Sequence, residues 1–122
     1  MGCGGLGQPP EAEAAMKPGT ICWVYLEPVS PPEMGKTRPA IIVSNSDQNL
    51  FLQSVVVVPL SPQPGEIWPL RLRLEAPRGK ASFAVLPGVR QVSKALTHEL
   101  GGLARPGDMD RLAEALFCYL ND

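Results

Sequence analysis

Apolar and polar positions alternate in short stretches along this 122-residue chain, and each stretch ends in a cluster of prolines, glycines, serines or asparagines. After a turn at Lys17-Pro18-Gly19, the run from Thr20 to Glu27 (TICWVYLE) is rich in β-branched and aromatic side chains and predicts a strand. Arg38 to Ser44 (RPAIIVS) predicts a second. Pro28 to Thr37 (PVSPPEMGKT) carries three prolines between them and is long for a connection between strands, which marks it as a candidate functional loop. Asn45 to Asn49 (NSDQN) reads as a turn whose side chains bond their own backbone. Ser54 to Leu60 (SVVVVPL) is continuously apolar, the pattern of a strand buried on both faces.

Ser61 to Gly65 (SPQPG) breaks that strand. Glu66 to Leu74 (EIWPLRLRL) then alternates, with Leu70, Leu72 and Leu74 on one side and Arg71 and Arg73 on the other, so a half-exposed strand with a cationic wet face is expected. Ala76 to Lys80 is a turn, Ser82 to Leu86 a short strand, and Val89 to Lys94 either a last strand or an irregular return. From Asp108 the period lengthens. Met109, Leu112, Leu116 and Leu120 share one helical face, with Asp108 as the expected N-cap behind Pro106-Gly107. The expected fold class is mainly β: five or six short strands in a small twisted or barrel-like sheet, closed by one C-terminal helix.

Composition narrows this picture. Fourteen prolines disfavour a mostly helical protein, and 44% hydrophobic residues suffice for a core in one domain. Residues 1–16 (MGCGGLGQPPEAEAAM) hold almost no large apolar side chains and read as a flexible leader, leaving 17–122 as the domain. The net charge of −1 carries no overall basic signature. Its distribution is uneven: Leu60 to Lys94 has six cations and two anions, whereas Ala95 onward has two cations and five anions. The middle of the chain thus reads either as an ordinary solvated strand face or as a part suited to phosphates. Cys3, Cys22 and Cys118 have no metal-binding spacing and stand apart from the single His98, so neither a zinc site nor any other metal or cofactor is expected. With no signal-like segment and no membrane-length apolar run, the expected location is cytoplasmic, without membrane association.

Candidate chemistry reduces to arginines and hydroxyls. His98 beside Thr97 and Glu99 reads as a residue near the final turn, and the carboxylates are dispersed. Arg38 closes the long loop and Ser61 follows the valine run, both beside prolines and at the ends of strands expected to be neighbours. A guanidinium offers a planar fork of donors suited to a phosphoryl group, and a hydroxyl can orient a phosphate oxygen. The residues alone equally allow an Arg38–Glu33 loop salt bridge and a Ser61 that simply ends a strand.

The stretches KPGTICWVYLEP (17–28), EMGKTRPAIIVSN (33–45) and VVVVPLS (55–61) resemble, in order, the opening, the first loop with its return strand and the third strand of the MazF/PemK family of type II toxin–antitoxin toxins. The resemblance runs through the C-terminal helix. It implies an SH3-like β-barrel of the CcdB/PemK type, a homodimer, a cognate antitoxin protein as partner, and metal-independent cleavage of single-stranded RNA to 2′,3′-cyclic phosphate and 5′-OH ends. Carried onto this chain, it implies Arg38, Ser61 and Glu33 as catalytic, with the proton roles open, and Arg90 as a retained motif residue. Lys36, Thr37 and Arg90 are expected to bind substrate, and Trp68, beside Pro69, is a candidate ring for base stacking against the alternative of a core or dimer-interface residue. Ser61 stands where the family has threonine, and Val85 and Pro87 stand where some branches carry an Arg-x-Asp pair. CcdB-type proteins share the fold and bind a protein target, so a protein-binding module or a catalytically weak member is the alternative.

Overall fold

The structure, a computed structural model, describes residues 16–26, 36–75 and 81–121. Among these residues seven strands and two α-helices follow in the order β1 (Thr20–Leu26), β2 (Lys36–Ile42), α1 (Ser46–Phe51), β3 (Ser54–Ser61), β4 (Arg71–Glu75), β5 (Ala81–Val85), β6 (Arg90–Ser93), β7 (Thr97–Leu103) and α2 (Pro106–Leu120). The strands form an antiparallel sheet in the order β4-β5-β3-β2-β1-β7, with β6 also paired to β3. The sheet curls into a half-barrel, and α2 packs against β4 and the turn at Leu86–Gly88. The expected small barrel-like sheet with a C-terminal helix is borne out.

β3 is the strand on which the curl depends. One edge pairs with β2, while the other pairs with β6 along Ser54 to Val57 and with β5 at Leu60 and Ser61. The change of partner falls around Pro59, which has no N–H to donate to a ladder, and opposite it the chain makes the 3-10 turn Leu86–Gly88. Gly88 allows that approach: a Cβ there would stand 2.7 Å from Pro59 Cγ.

The valine run serves two cores, as its continuous apolar pattern implied. Val55 and Val57 join Cys22, Val24, Ala40, Ile42 and Val92 on one face. Val58 and Leu60 join Ile21, Ile41, Leu72, Leu74, Ala84 and Leu86 on the other, where Leu112 and Ala115 of α2 complete the packing. Removal of these side chains from water supplies most of the driving force for folding. At the entry to β1, Gly19 (φ +95°) donates to Ile42 O and accepts from Ala104 N, both at 2.8 Å, tying β2 and the end of β7 to one turn.

Several local expectations are corrected. Asn45 to Asn49 is not only a turn: Asn45 caps a six-residue helix, its side chain accepting from Gln48 N at 2.9 Å. The strand expected from Glu66 begins only at Arg71. Residues 97–103, left without an element by their sequence, form β7, so His98 lies in a strand opposite Trp23 rather than near a turn. Asp108 does not cap α2, which starts with Pro106 in its first turn and has no side-chain cap. Its carboxylate instead accepts from Glu75 N at 2.9 Å and so fastens the helix to β4. Leu120, expected on the core face, is 69% exposed. The expected turn at Ala76 to Lys80 and the leader up to residue 15 lie outside the described residues.

Candidate functional site

Arg38 stands in β2 opposite Val24 of β1. It follows Ala40 and Ile42 in the strand's alternation, beyond the point where that face is covered, and is exposed. Among the described residues no hydrogen bond or ion pair engages its side chain. Ser61 is the last residue of β3. The β2–β3 register runs Ile42↔Val57, Ile41↔Val58, Ala40↔Pro59, where the ladder ends. Continued two steps, the same register would set Arg38 across from Ser61, the arrangement in which antiparallel neighbours share a face.

The Ser61 hydroxyl accepts from Gln63 N at 3.1 Å, a local turn that fixes its direction. Gln63 begins a segment held chiefly by its carbonyls. Arg71 donates through Nη2 to Gln63 O at 2.7 Å and through Nε to Gly65 O at 2.9 Å, and its guanidinium carbon lies 5.8 Å from the centre of the Phe83 ring. Gly65 adopts φ +129°, a conformation that favours glycine.

The same segment is anchored at Glu66. Its Oε2 accepts from Arg73 N at 3.1 Å and from Arg111 Nη2 at 2.8 Å, while Arg111 Nη1 donates to Arg73 O at 3.0 Å. The Arg73 amide and then the Arg111 guanidinium hold the Glu66 carboxyl below the usual glutamate range. The outward amide and carbonyl of Arg73 thus meet a carboxylate and a guanidinium where a neighbouring strand would otherwise sit, which closes this edge of the sheet. The half-exposed strand with Arg71 and Arg73 on its wet face is borne out, Leu72 and Leu74 being buried, and both arginines are engaged there: Arg71 binds carbonyls of its own chain, and Arg73 pairs with Glu75 at 2.9 Å.

The other anticipated residues are dispersed. Thr37 is exposed opposite Tyr25, and Lys36 stands opposite Leu26. Arg90 is exposed at the start of β6, opposite Val57. That is four residues along β3 from Ser61, about 13 Å at ~3.3 Å per residue. Trp68 sits in the turn before β4, 48% exposed between the exposed Ile67 and Leu70. It is therefore outside the core. Glu33 lies outside the described residues. Among the described residues no three His, Cys, Asp or Glu side chains gather as a metal site requires, and no helix is long and apolar enough to cross a membrane. A separate open groove of about 680 Å³, lined by Asn45, Asp47, Gln48, Phe51, Leu52, Val56 and Gln91, contains none of the anticipated residues.

The Arg71 contacts were not legible beforehand. The alternation LRLRL places both arginines on one side of a strand, but the carbonyls that meet Arg71 come from a segment without periodic pattern.

Residues 17–119 match a family model described as PemK-like, MazF-like toxin of type II toxin–antitoxin system. The fold is similar to the crystal structure of MazF from Deinococcus radiodurans, with a TM-score of 0.69 and 18% identity over 93% of this chain and 98% of that one. It is similar also to an endoribonuclease from a mycobacterial species in complex with its cognate antitoxin, with a TM-score of 0.73 and 21% identity over 87% and 95%. Mycobacterium tuberculosis toxin MazF-mt6 gives 0.63 and 18% over 80% and 91%. No curated protein sequence matches the chain.

Proposed function

Because the chain belongs to the PemK-like, MazF-like family of type II toxin–antitoxin toxins, we propose that it is an endoribonuclease that cleaves single-stranded RNA without a metal ion. What supports this reading is an exposed arginine, Arg38, whose side chain has no hydrogen bond or ion pair among the described residues, on the strand that pairs with the one ending in the Ser61 hydroxyl.

In the proposed reaction the ribose 2′-oxygen attacks the adjacent phosphorus. The bond from phosphorus to the 5′-oxygen breaks, and the proton lost by the 2′-hydroxyl is matched by one gained at the leaving 5′-oxygen. The products are a 2′,3′-cyclic phosphate and a 5′-hydroxyl. Negative charge grows on the non-bridging oxygens as phosphorus becomes five-coordinate. A guanidinium that remains protonated and presents parallel donors stabilises that charge more than it stabilises the starting diester. Arg38 has this role, and the Ser61 hydroxyl orients a phosphate oxygen beside it. Glu33 is assigned to the same site as a candidate for moving protons. Thr37, Lys36, Arg90 and Trp68 are assigned to the RNA strand on either side.

The proposal includes a homodimer, as the family resemblance implies, and a cognate antitoxin that blocks the chain in the resting cell. The antitoxin part is supported by the mycobacterial endoribonuclease of similar fold, which was solved with its cognate antitoxin. An acidic, apolar antitoxin segment would compete with RNA for Arg38.

The test is incubation of purified protein with a long single-stranded RNA in EDTA, beside Arg38→Ala and Ser61→Ala, with the product ends identified. Cyclic phosphate and 5′-hydroxyl ends that disappear in Arg38→Ala and fall at least tenfold in Ser61→Ala are expected. Intact RNA with folded, antitoxin-free protein would reject the nuclease reading and favour a protein-binding module.

A further inference from the structure

Arg71 lies on the sheet beside the proposed catalytic end, yet two of its three nitrogens donate to carbonyls of this chain. Nη2 donates to Gln63 O at 2.7 Å and Nε to Gly65 O at 2.9 Å, so one planar group grips two carbonyls of the segment that leaves Ser61. The guanidinium also lies over the Phe83 ring, 5.8 Å from its centre. Phe83 is 8% exposed and is the cross-strand partner of Ser61. Gln63 N in turn donates to Ser61 Oγ at 3.1 Å. Ser61 is therefore enclosed by a small circuit: its neighbour across the ladder supports Arg71, Arg71 holds Gln63, and Gln63 holds the hydroxyl.

We propose that Arg71 is the positioning residue for the Ser61 hydroxyl, acting by clamping the 63–65 turn and not by binding RNA phosphate. This rests on the nuclease reading given above. Serine has no branching methyl at Cβ and rotates more freely about χ1 than the β-branched threonine. The direction of its hydroxyl is therefore set from outside, by the Gln63 amide, whose own place depends on the Arg71 grip. Gly65, at φ +129°, lets the turn bring both carbonyls to the guanidinium. A lysine keeps the charge but is a single ammonium on a flexible stem and cannot reproduce a planar two-carbonyl grip.

The experiment compares wild type, Arg71→Ala and Arg71→Lys, each checked for folding by circular dichroism. It uses two readouts: steady-state RNA cleavage, and amide hydrogen exchange at Gln63 and Gly65 without RNA. If Arg71 positions Ser61, both variants lose about 10- to 100-fold in kcat with KM within about twofold, since misplacement of a catalytic group by an ångström reduces rate on that scale. Lysine rescues little, and exchange at Gln63 accelerates in both. If Arg71 binds phosphate, Arg71→Lys retains most of kcat, KM rises, and the salt dependence of binding becomes shallower; that result overturns the proposal, as does unchanged exchange at Gln63. Should Arg71→Ala fail to fold, Arg71→Lys and Arg71→Gln carry the same comparison. Should wild type leave RNA intact, the nuclease reading is what has failed, and exchange at Gln63 still decides whether Arg71 holds the turn that orients Ser61.

Discussion

Asn49 is the residue whose replacement tests the packing account most severely. Its side chain is only 1% exposed, in a helix of six residues that has little stability of its own. Nδ2 donates to Met16 O at 2.8 Å and to Ser44 O at 3.0 Å, and Oδ1 accepts from Ser44 Oγ. Ser44 Oγ accepts in its turn from Val56 N at 3.0 Å. One amide thereby joins the chain entering the domain, the exit from β2, α1 and β3. Asn49→Ala removes three hydrogen bonds of roughly 1 kcal/mol each and leaves two carbonyls short of a donor; with partial relief by water, the expected loss is about 2–4 kcal/mol. That is a large part of the 5–15 kcal/mol typical of a domain. At about 4 °C per kcal/mol for a chain of this size it lowers Tm by about 8–16 °C.

Asn49→Asp separates hydrogen bonding from volume, since it preserves shape but turns an oxygen toward Met16 O and Ser44 O. Burial and those carbonyls raise the folded pKa of the new carboxyl above its unfolded value. The folded state then binds the proton more tightly, so stability falls as pH rises from the ordinary aspartate value through the raised one. Urea titrations from pH 4 to 8, followed by circular dichroism, should place Asn49→Asp nearest to wild type at pH 4 and furthest from it at pH 8. An Asn49→Ala protein within 0.5 kcal/mol of wild type, or an Asn49→Asp protein whose deficit does not change with pH, would refute the account of Asn49 as a buried junction.

Three further outcomes are expected. Glu66 has a folded pKa below the ordinary 4.5, so its contribution is complete above that value and disappears as pH falls through the lowered one; urea midpoints from pH 3 to 6 should drop less in Glu66→Gln than in wild type. Gly88→Ala places a Cβ 2.7 Å from the rigid Pro59 ring and should destabilise by about 1–3 kcal/mol, read from the midpoint at constant m-value. Trp68, half exposed in its turn, should contribute about 1–3 kcal/mol to RNA affinity by stacking. Titration of a 2′-deoxy-substituted, uncleavable RNA should show weaker binding by Trp68→Ala, near-normal binding by Trp68→Phe, and little change in either stability.

What sequence determined here is local and one-dimensional. Short apolar runs between prolines define strands because a period of two and β-branched side chains fit a pleated surface, and that held for β1, β2, β3 and β5. The change of period after Asp108 foretold α2 for the same kind of reason. Family motifs then singled out Arg38 and Ser61, which lie on paired strands although 22 residues separate them in the chain. Where the pattern was weak, context prevailed: THELGGL contains two glycines and little alternation, and it becomes β7 because the edge of β1 supplies its hydrogen bonds. Only tertiary structure decided the use of polar side chains. Asp108 has the character of an N-cap yet reaches β4, and Arg71 has that of a solvent-facing cation yet binds two carbonyls of its own chain. Hydrophobic burial depends on the period of a segment, which can be read along the chain. A charged side chain instead finds the nearest unmet donor or acceptor in space, and no spacing in the sequence records where that partner will be.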